Sequence, residues 1–342
     1  MSDLPFTIVK ASSVARILKS NPHIIYDVVK ESYMAFGGGR AENPNSLFLT
    51  FNKLDEHSPN RIIALPAYVN AASGLAGGIK WISSFPKNIE RGLPRASAVL
   101  VLNDLSTGFP YACLEGAHIS AARTAASAVL GAEVMCNGNR SARAVGFVGA
   151  GVIAQSILDC FLSLDWSFEE VHVYDLSTDR TRVFQSANAD RVDSISVSTS
   201  LNELVTKCDL IVFATTASSP HVTDASLFHH NPRVLHISLR DLSPAIILES
   251  HNIVDDAEHC LKARTSIHLA SEVADPERFI AANIYDCFDG TGSIIHKAPN
   301  DRPAIFSPFG MGMLDIALAM FICRSAVESG EAVAVSGFFS AH

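Results

Sequence analysis

Residues 144–155 read AVGFVGAGVIAQ, and how they are read decides the fold. A short apolar run, as a buried strand requires, leads into Gly149, Gly151 and Ala154 at G-x-G-x-x-A spacing. Gly149 permits a tight turn, Gly151 has no side chain to block a pyrophosphate, and Ala154 lets the next helix pack closely on its strand. The N-terminus of that helix attracts phosphate charge. A second strand, VHVYD, closes on Asp175 about twenty residues past the motif. An acid there accepts hydrogen bonds from both ribose hydroxyls and repels a 2′-phosphate. Arg180, just beyond, is able to meet such a phosphate, but the acid takes precedence and NAD is expected ahead of NADP.

The same rhythm continues downstream. Helices VIAQSILDCFLSL, TDRTRVFQSANA and LNELVTKC fall between the strands EVHVYD, DLIVFATT, RVLHISL and NIVDD. This alternation predicts an open parallel sheet with helices on both faces. Ligands lie beyond the carboxyl ends of such strands. Thr215 and Thr216 in FATTASSP are therefore candidates to line the nicotinamide side, with strand-end capping as the equal alternative. VLHISLRDLSP puts Arg240 and Asp241 on the same edge. A carboxylate beside a guanidinium there is placed to move a proton during amine oxidation; a surface ion pair is the other reading. His118, His236, His229 and His230 are spaced for neither a zinc site nor a relay, and read as structural or solvent-facing.

The N-terminal third has a different texture. Asn21, Pro22 and Gly37 bracket a helix over about 22–36. SLFLTF, RIIALPAYV, LAGGIKWIS and ASAVLVLND follow as strands of a mostly antiparallel sheet, with a hairpin in NDLSTGFPYACLE. GAHISAARTAASAVLGAEVM is an alanine-rich helix expected in two pieces. The late segment GMGMLDIALAMFICRSAVES reads as an amphipathic helix returning to the first domain. The predicted class is α/β: a Rossmann-type parallel-sheet domain, 131–310, inserted in a mixed α+β domain made of 1–130 and 311–342.

Cations mark that first domain. Lys80 follows two glycines in an apolar strand, and Arg123 stands alone among small apolar residues. Each demands a carboxylate, from elsewhere in the chain or from a ligand. Residues 77–97, GGIKWISSFPKNIERGLPRAS, add Lys87, Arg91 and Arg95 against one acid, Glu90, in a chain whose net charge is -9. The overall acidity excludes a nucleic-acid surface. The longest apolar segment, MLDIALAMFIC, is too short to span a bilayer and contains Asp315. Seven cysteines without a C-x-x-C pair read as reduced thiols rather than a disulfide or zinc framework. With no secretory signal at the start, a cytoplasmic protein with no metal and no membrane partner is expected.

Together, Lys80 in GGIKWI, Arg123 in ARTAA, GAGVIA, Asp241 after the fifth strand and FGMGMLDIALA resemble the ornithine cyclodeaminase/μ-crystallin family over nearly the whole chain. The resemblance implies a substrate-binding, dimerising domain built from both chain ends and an inserted NAD-binding domain, hence a homodimer. It implies that Lys80 and Arg123 hold the substrate carboxylate and that Asp241 serves the substrate amine and proton transfer. Where cyclodeaminases carry an Arg in the strand matching NPNSLFLTF, this chain has Asn45, which argues against ornithine. SSFPKNIERGLPRASAVLVLND and SLRDLSP resemble the N-(1-amino-1-carboxyl-2-ethyl)-glutamic acid dehydrogenase branch, which makes 2,3-diaminopropionate for siderophores and peptide antibiotics.

That branch implies a substrate with three carboxylates. One Lys–Arg pair serves an α-carboxylate; the others need more cations, with Lys87, Arg91 and Arg95 as candidates. Arg91 and Arg95 lead because a guanidinium grips a carboxylate through two bonds, and a solvated basic loop is the alternative. The branch also implies a pyridoxal-phosphate-dependent synthase as pathway neighbour. Two other functions stay open: ornithine cyclodeamination with catalytic NAD, and nucleotide-dependent binding without catalysis, as in μ-crystallin. The joint presence of Lys80, Arg123 and Asp241 argues against the latter, since a pure binder needs no proton carrier.

Overall fold

A computed structural model describes residues 6–54 and 58–339. The chain opens with β1 (Phe6–Val9), α1 (Ala11–Ser20) and α2 (Pro22–Gly37). Strands β2 (Ala41–Glu42), β3 (Leu47–Thr50), β4 (Arg61–Ala71), β5 (Gly74–Ser84), β6 (Ala96–Asn103) and β7 (Pro110–Glu115) follow, then helix α3 (Ala117–Met135). The alternating region comprises β8 (Ser141–Val148), α4 (Val152–Ser163), β9 (Ser167–Tyr174), α5 (Thr178–Asn188), β10 (Ile195–Val197), α6 (Leu201–Lys207) and β11 (Leu210–Phe213). After it come β12 (Arg233–His236), α7 (Pro244–Glu249), β13 (His251–Val254), α8 (Ala257–Cys260), α9 (Ser266–Ser271), β14 (Ile280–Asn283) and β15 (Ala304–Ser307). The chain closes with α10 (Gly312–Glu328) and β16 (Val333–Val335). Two compact units result: Met1–Arg123 with Met311–His342, and Thr124–Gly310.

The first unit is an eight-stranded sheet in the order β16-β1-β7-β6-β5-β4-β2, with β3 also on β4. Only the β1–β7 pair within it is parallel. Helix α10 packs on β4 and β5 and also meets α1 and α2. Its residues from Gly312 to Met320 are all buried. The amphipathic reading of this segment is thus corrected for its first nine residues: covered by the sheet on one side and helices on the other, they are buried all round and apolar except for Asp315. Helix α1 was not anticipated from the sequence, because its N-cap, Lys10, makes no side-chain cap.

The other face of this sheet is apolar and open. Register places Leu47, Ala64, Trp81 and Val99 in one row across β3, β4, β5 and β6. Leu47 is 72% exposed, Trp81 45% and Val99 41%.

The second unit is an eight-stranded, wholly parallel sheet in the order β10-β9-β8-β11-β12-β15-β13-β14. Strand order reverses between β8 and β11, and ligands of such sheets sit at the carboxyl ends of strands flanking that reversal. The expected alternation is present; β14 and β15, which are short, were not anticipated. Helix α3 runs unbroken rather than in two pieces. Gly131, which invites a break in the sequence, is there for packing: a Cβ on it would lie 2.1 Å from Phe306. All seven cysteines are free, and burial pushes the thiols of Cys160 and Cys208 up to about 12. Among the described residues no helix is long and apolar enough to cross a membrane, and no group of three or more His, Cys, Asp or Glu is placed to hold a metal.

Candidate active site

The second unit builds a nucleotide cradle at the reversal point. Gly149 follows β8 with φ +96°, a left-handed conformation that favours glycine. A Cβ there would fall 2.6 Å from the Ala214 carbonyl oxygen beyond β11. At Gly151 a Cβ would meet nothing within 4 Å, so the space beside that backbone is open. Gly151 is also the N-cap of α4 and supplies no side-chain cap, leaving the helix's first N–H groups to meet an anion. Ala154 is fully buried, at the helix–sheet contact. Asp175 accepts hydrogen bonds from the N–H of Ala150 at 2.9 Å and of Ser177 at 2.9 Å, which fixes its carboxylate against the glycine turn. Leu176, next in the chain, is 93% exposed and offers no charge to a 2′-phosphate. These residues fit a dinucleotide carrying free ribose hydroxyls.

A buried carboxylate lies on the same sheet edge. Asp241 is fully buried. The Thr215 hydroxyl donates to its Oδ1 and the Ser238 hydroxyl to its Oδ2. His221 Nε2 is 3.1 Å from Oδ1 and His236 Nε2 is 3.3 Å from Oδ2. Burial by itself raises the carboxyl's pKa; His236, Ser238 and Thr215 outweigh it and hold the group well below the usual carboxylate range. The expected guanidinium neighbour is corrected, because Arg240 turns away and donates to the Ala263 carbonyl at 2.8 Å. Thr215 is committed to Asp241 and also accepts from Ala217 N–H at 3.1 Å, whereas Thr216 is exposed. Among the histidines read as structural, His236 proves to be an Asp241 partner. His221 carried no motif and escaped notice; only its loop position, facing residue 241 across a parallel bridge between Val222 and Leu242, reveals it.

The first unit holds a buried cation cluster. Lys80 lies on β5 under α10 and is 2% exposed. Its Nζ is 2.6 Å from Asp315 Oδ2 and donates to Ser120 Oγ at 3.3 Å. Arg123 on α3 places Nε 3.3 Å from the same Oδ2, close enough for an ion pair but off the angle of a hydrogen bond. Burial pushes the Lys80 amine down to about 8; Asp315 opposes the shift and Arg123 adds to it. Asp315, in the first turn of α10, answers the demand that both cations make in the sequence, and it was missed there. Two cations share one anion, so the cluster keeps a surplus positive charge, and among the described residues Arg123 Nε and Asp315 Oδ1 are buried without hydrogen-bond partners.

Further along the same strands, Arg95 is half-buried and donates to Ser84 Oγ at 3.2 Å. Burial lowers its pKa, and the charge of Arg61 adds to the effect. Arg61 is paired with Ser84 by register and was also missed in the sequence. Arg91 ends the 3₁₀ turn Pro86–Arg91 and is exposed.

The model of the ornithine cyclodeaminase/mu-crystallin family matches residues 8–330. The chain belongs to that family. An alanine dehydrogenase of Archaeoglobus fulgidus is 27% identical over 312 residues, covering 88% of this chain and 90% of that protein. The N-((2S)-2-amino-2-carboxyethyl)-L-glutamate dehydrogenase of Staphylococcus aureus is 25% identical over 314 residues, covering 90% of this chain and 92% of that one. In fold, this member of the ornithine cyclodeaminase/mu-crystallin family is similar to the Δ1-pyrroline-2-carboxylate reductase of Thermococcus litoralis, solved with NADH and L-proline. That match has a TM-score of 0.84 at 23% identity, covering 96% of this chain and 100% of the other.

Proposed function

We propose that this family member is an NAD-dependent dehydrogenase that oxidises and hydrolyses N-(1-amino-1-carboxyl-2-ethyl)-glutamic acid to 2,3-diaminopropionate and 2-oxoglutarate. The observation that carries the choice of substrate is a second group of cations on the sheet face of Lys80. Residues Lys80 and Ser84 share a face of β5, and register sets Arg61 opposite Ser84 on β4, about 13 Å along the strand from Lys80. Arg95 donates to that same Ser84. A monocarboxylate such as ornithine or alanine has nothing for the second group to bind; a tricarboxylate does. Similarity to the Staphylococcus aureus dehydrogenase, which carries this substrate in its name, supports the same reading.

Residue roles follow from charge. Lys80 and Arg123 take the α-carboxylate of the glutamate half, supplying the anion that the cluster around Asp315 lacks. Arg95, with Arg91 at the rim of its turn, takes a further carboxylate through charge-assisted bonds. Gly149, Gly151, Ala154 and Asp175 hold the dinucleotide, and Thr216 lies on the edge next to it. NAD, when bound, supplies the hydride acceptor. Asp241 and the groups it holds manage the protons of the amine and of the water that cleaves the resulting C=N bond. Positioning, rather than covalent catalysis, is the protein's contribution.

The product is an amino acid suited to siderophore or peptide-antibiotic assembly, and its precursor calls for a pyridoxal-phosphate-dependent synthase. Product analysis tests the reading: equal amounts of 2,3-diaminopropionate and 2-oxoglutarate support it, and recovery of the substrate unchanged contradicts it.

A further inference from the structure

We infer that His221 carries the proton in this reaction and that Asp241 acts by orienting it; the inference rests on the dehydrogenase reading above. Asp241 is poorly suited to carry a proton itself. It is fully buried, and both carboxylate oxygens are already engaged by donors: Thr215 and His221 on Oδ1 and Ser238 on Oδ2. A carboxylate held well below its ordinary range is a weak base near neutral pH.

His221 has what Asp241 lacks. Its side chain is 42% exposed while its Nε2 stands 3.1 Å from Asp241 Oδ1. Backbone bonds lock the pair together: the N–H groups of His221 and Val222 both donate to the Asp241 carbonyl at 2.9 Å, and Ser243 N–H donates to Val222 at 2.9 Å. An Nε2–H donated to the carboxylate fixes the tautomer and leaves Nδ1 as the basic nitrogen. Nδ1 makes no hydrogen bond among the described residues. His236 cannot substitute, being fully buried with Nε2 accepting from Asp241 N–H at 3.1 Å and Nδ1 3.4 Å from Ser307 Oγ.

The proton balance is as follows. With the bound dinucleotide as hydride acceptor, the α-carbon would be left doubly bonded to a protonated nitrogen. Water oxygen then bonds that carbon, the π electrons pass to nitrogen, and Nδ1 of His221 takes the proton the water releases. The imidazolium so formed is stabilised by the Asp241 carboxylate. It returns the proton to the departing nitrogen; as the C–N bond breaks, the hydroxyl oxygen forms the C=O bond and gives its own proton to Nδ1 and on to solvent, freeing the amine and the 2-oxo acid with one net proton released per hydride removed.

The test compares His221→Ala and His221→Asn with wild type in NADH formation from the tricarboxylate, with and without added imidazole. NADH affinity is followed by fluorescence and folding by thermal melting. The expected result is a kcat loss of about 10²- to 10⁴-fold, partly restored by imidazole, with KM and NADH affinity within about twofold of wild type on the same scale of measurement. Wild-type kcat in both variants overturns the inference, as does a loss that tracks NADH affinity or melting and ignores imidazole. Wild type that is silent on the tricarboxylate but turns over alanine or ornithine overturns the substrate reading alone, and the same comparison then decides His221 on that substrate.

Discussion

Lys80 Nζ on β5 and Asp315 Oδ2 on α10 stand 2.6 Å apart across 235 positions of sequence. The pair is buried, with Lys80 at 2% exposure and Asp315 at none. It ties the final helix to the central sheet and leaves Arg123 with charge to offer. Removing the anion strands two buried cations, which is the costly way to break a buried pair. Asp315→Asn should lose about 3–5 kcal/mol of stability in urea unfolding. A variant as stable as wild type would mean that the cluster is solvated and that Asp315 is not its counter-ion.

The same cluster gives a pH signature. In the proposed role Lys80 binds the substrate carboxylate only when protonated, and burial pushes its amine down to about 8. As pH rises through that value the charge is lost and the substrate KM should climb. Lys80→Arg keeps its charge throughout and should show no climb there, whatever its absolute KM. A wild-type KM that stays flat through that pH removes Lys80 from carboxylate binding.

Asp175 should set cofactor choice. Asp175→Ser removes the acceptor for the ribose hydroxyls and the charge that repels a 2′-phosphate. A charged hydrogen bond is worth about 1.5–3 kcal/mol, so NAD⁺ affinity should fall about 10- to 100-fold while NADP⁺ affinity rises. Equal binding of both cofactors by the unaltered protein would contradict the role.

The apolar row Leu47, Trp81 and Val99 should be covered by a second copy of the chain, since an open sheet face of this kind invites pairing. Light scattering should report a dimer at micromolar concentration, and Trp81→Asp should shift it toward monomer. A monomeric wild type would remove the dimer from the account.

Much of this was legible in the sequence because the signals are local. The Gly149–Ala154 turn, the strand ending in Asp175 and the helix starting at Pro22 each declare themselves within a few residues. Lys80 and Arg123 stood out as cations in apolar surroundings. What answers them did not: Asp315 is brought to Lys80 by the tertiary fold, and nothing near residue 315 marks it as a counter-ion. His221 and Arg61 were hidden for the same reason, each acquiring meaning from a neighbouring segment, residue 241 in one case and residue 84 in the other. The Arg240–Asp241 pairing shows the converse: the two are adjacent in sequence, yet in the bend after β12 Asp241 is buried while Arg240 donates to the Ala263 carbonyl.

The second cation group also sorts the two arginines. Arg95 is half-buried beside Arg61 and should matter more than exposed Arg91. Arg95→Ala should lower kcat/KM for the tricarboxylate about 30- to 1000-fold, the cost of about 2–4 kcal/mol for an unpaired buried carboxylate, while NAD⁺ affinity holds. Wild-type kcat/KM in both Arg95→Ala and Arg91→Ala would leave the stretch 77–97 a solvated loop.

The most direct measurement follows NADH absorbance when the purified protein meets NAD⁺ and, in separate cuvettes, N-(1-amino-1-carboxyl-2-ethyl)-glutamic acid, ornithine and alanine. The account predicts stoichiometric NADH, one per 2-oxoglutarate released, from the tricarboxylate and none from ornithine or alanine. NADH from alanine alone, or proline formed from ornithine with no net NADH, would contradict it.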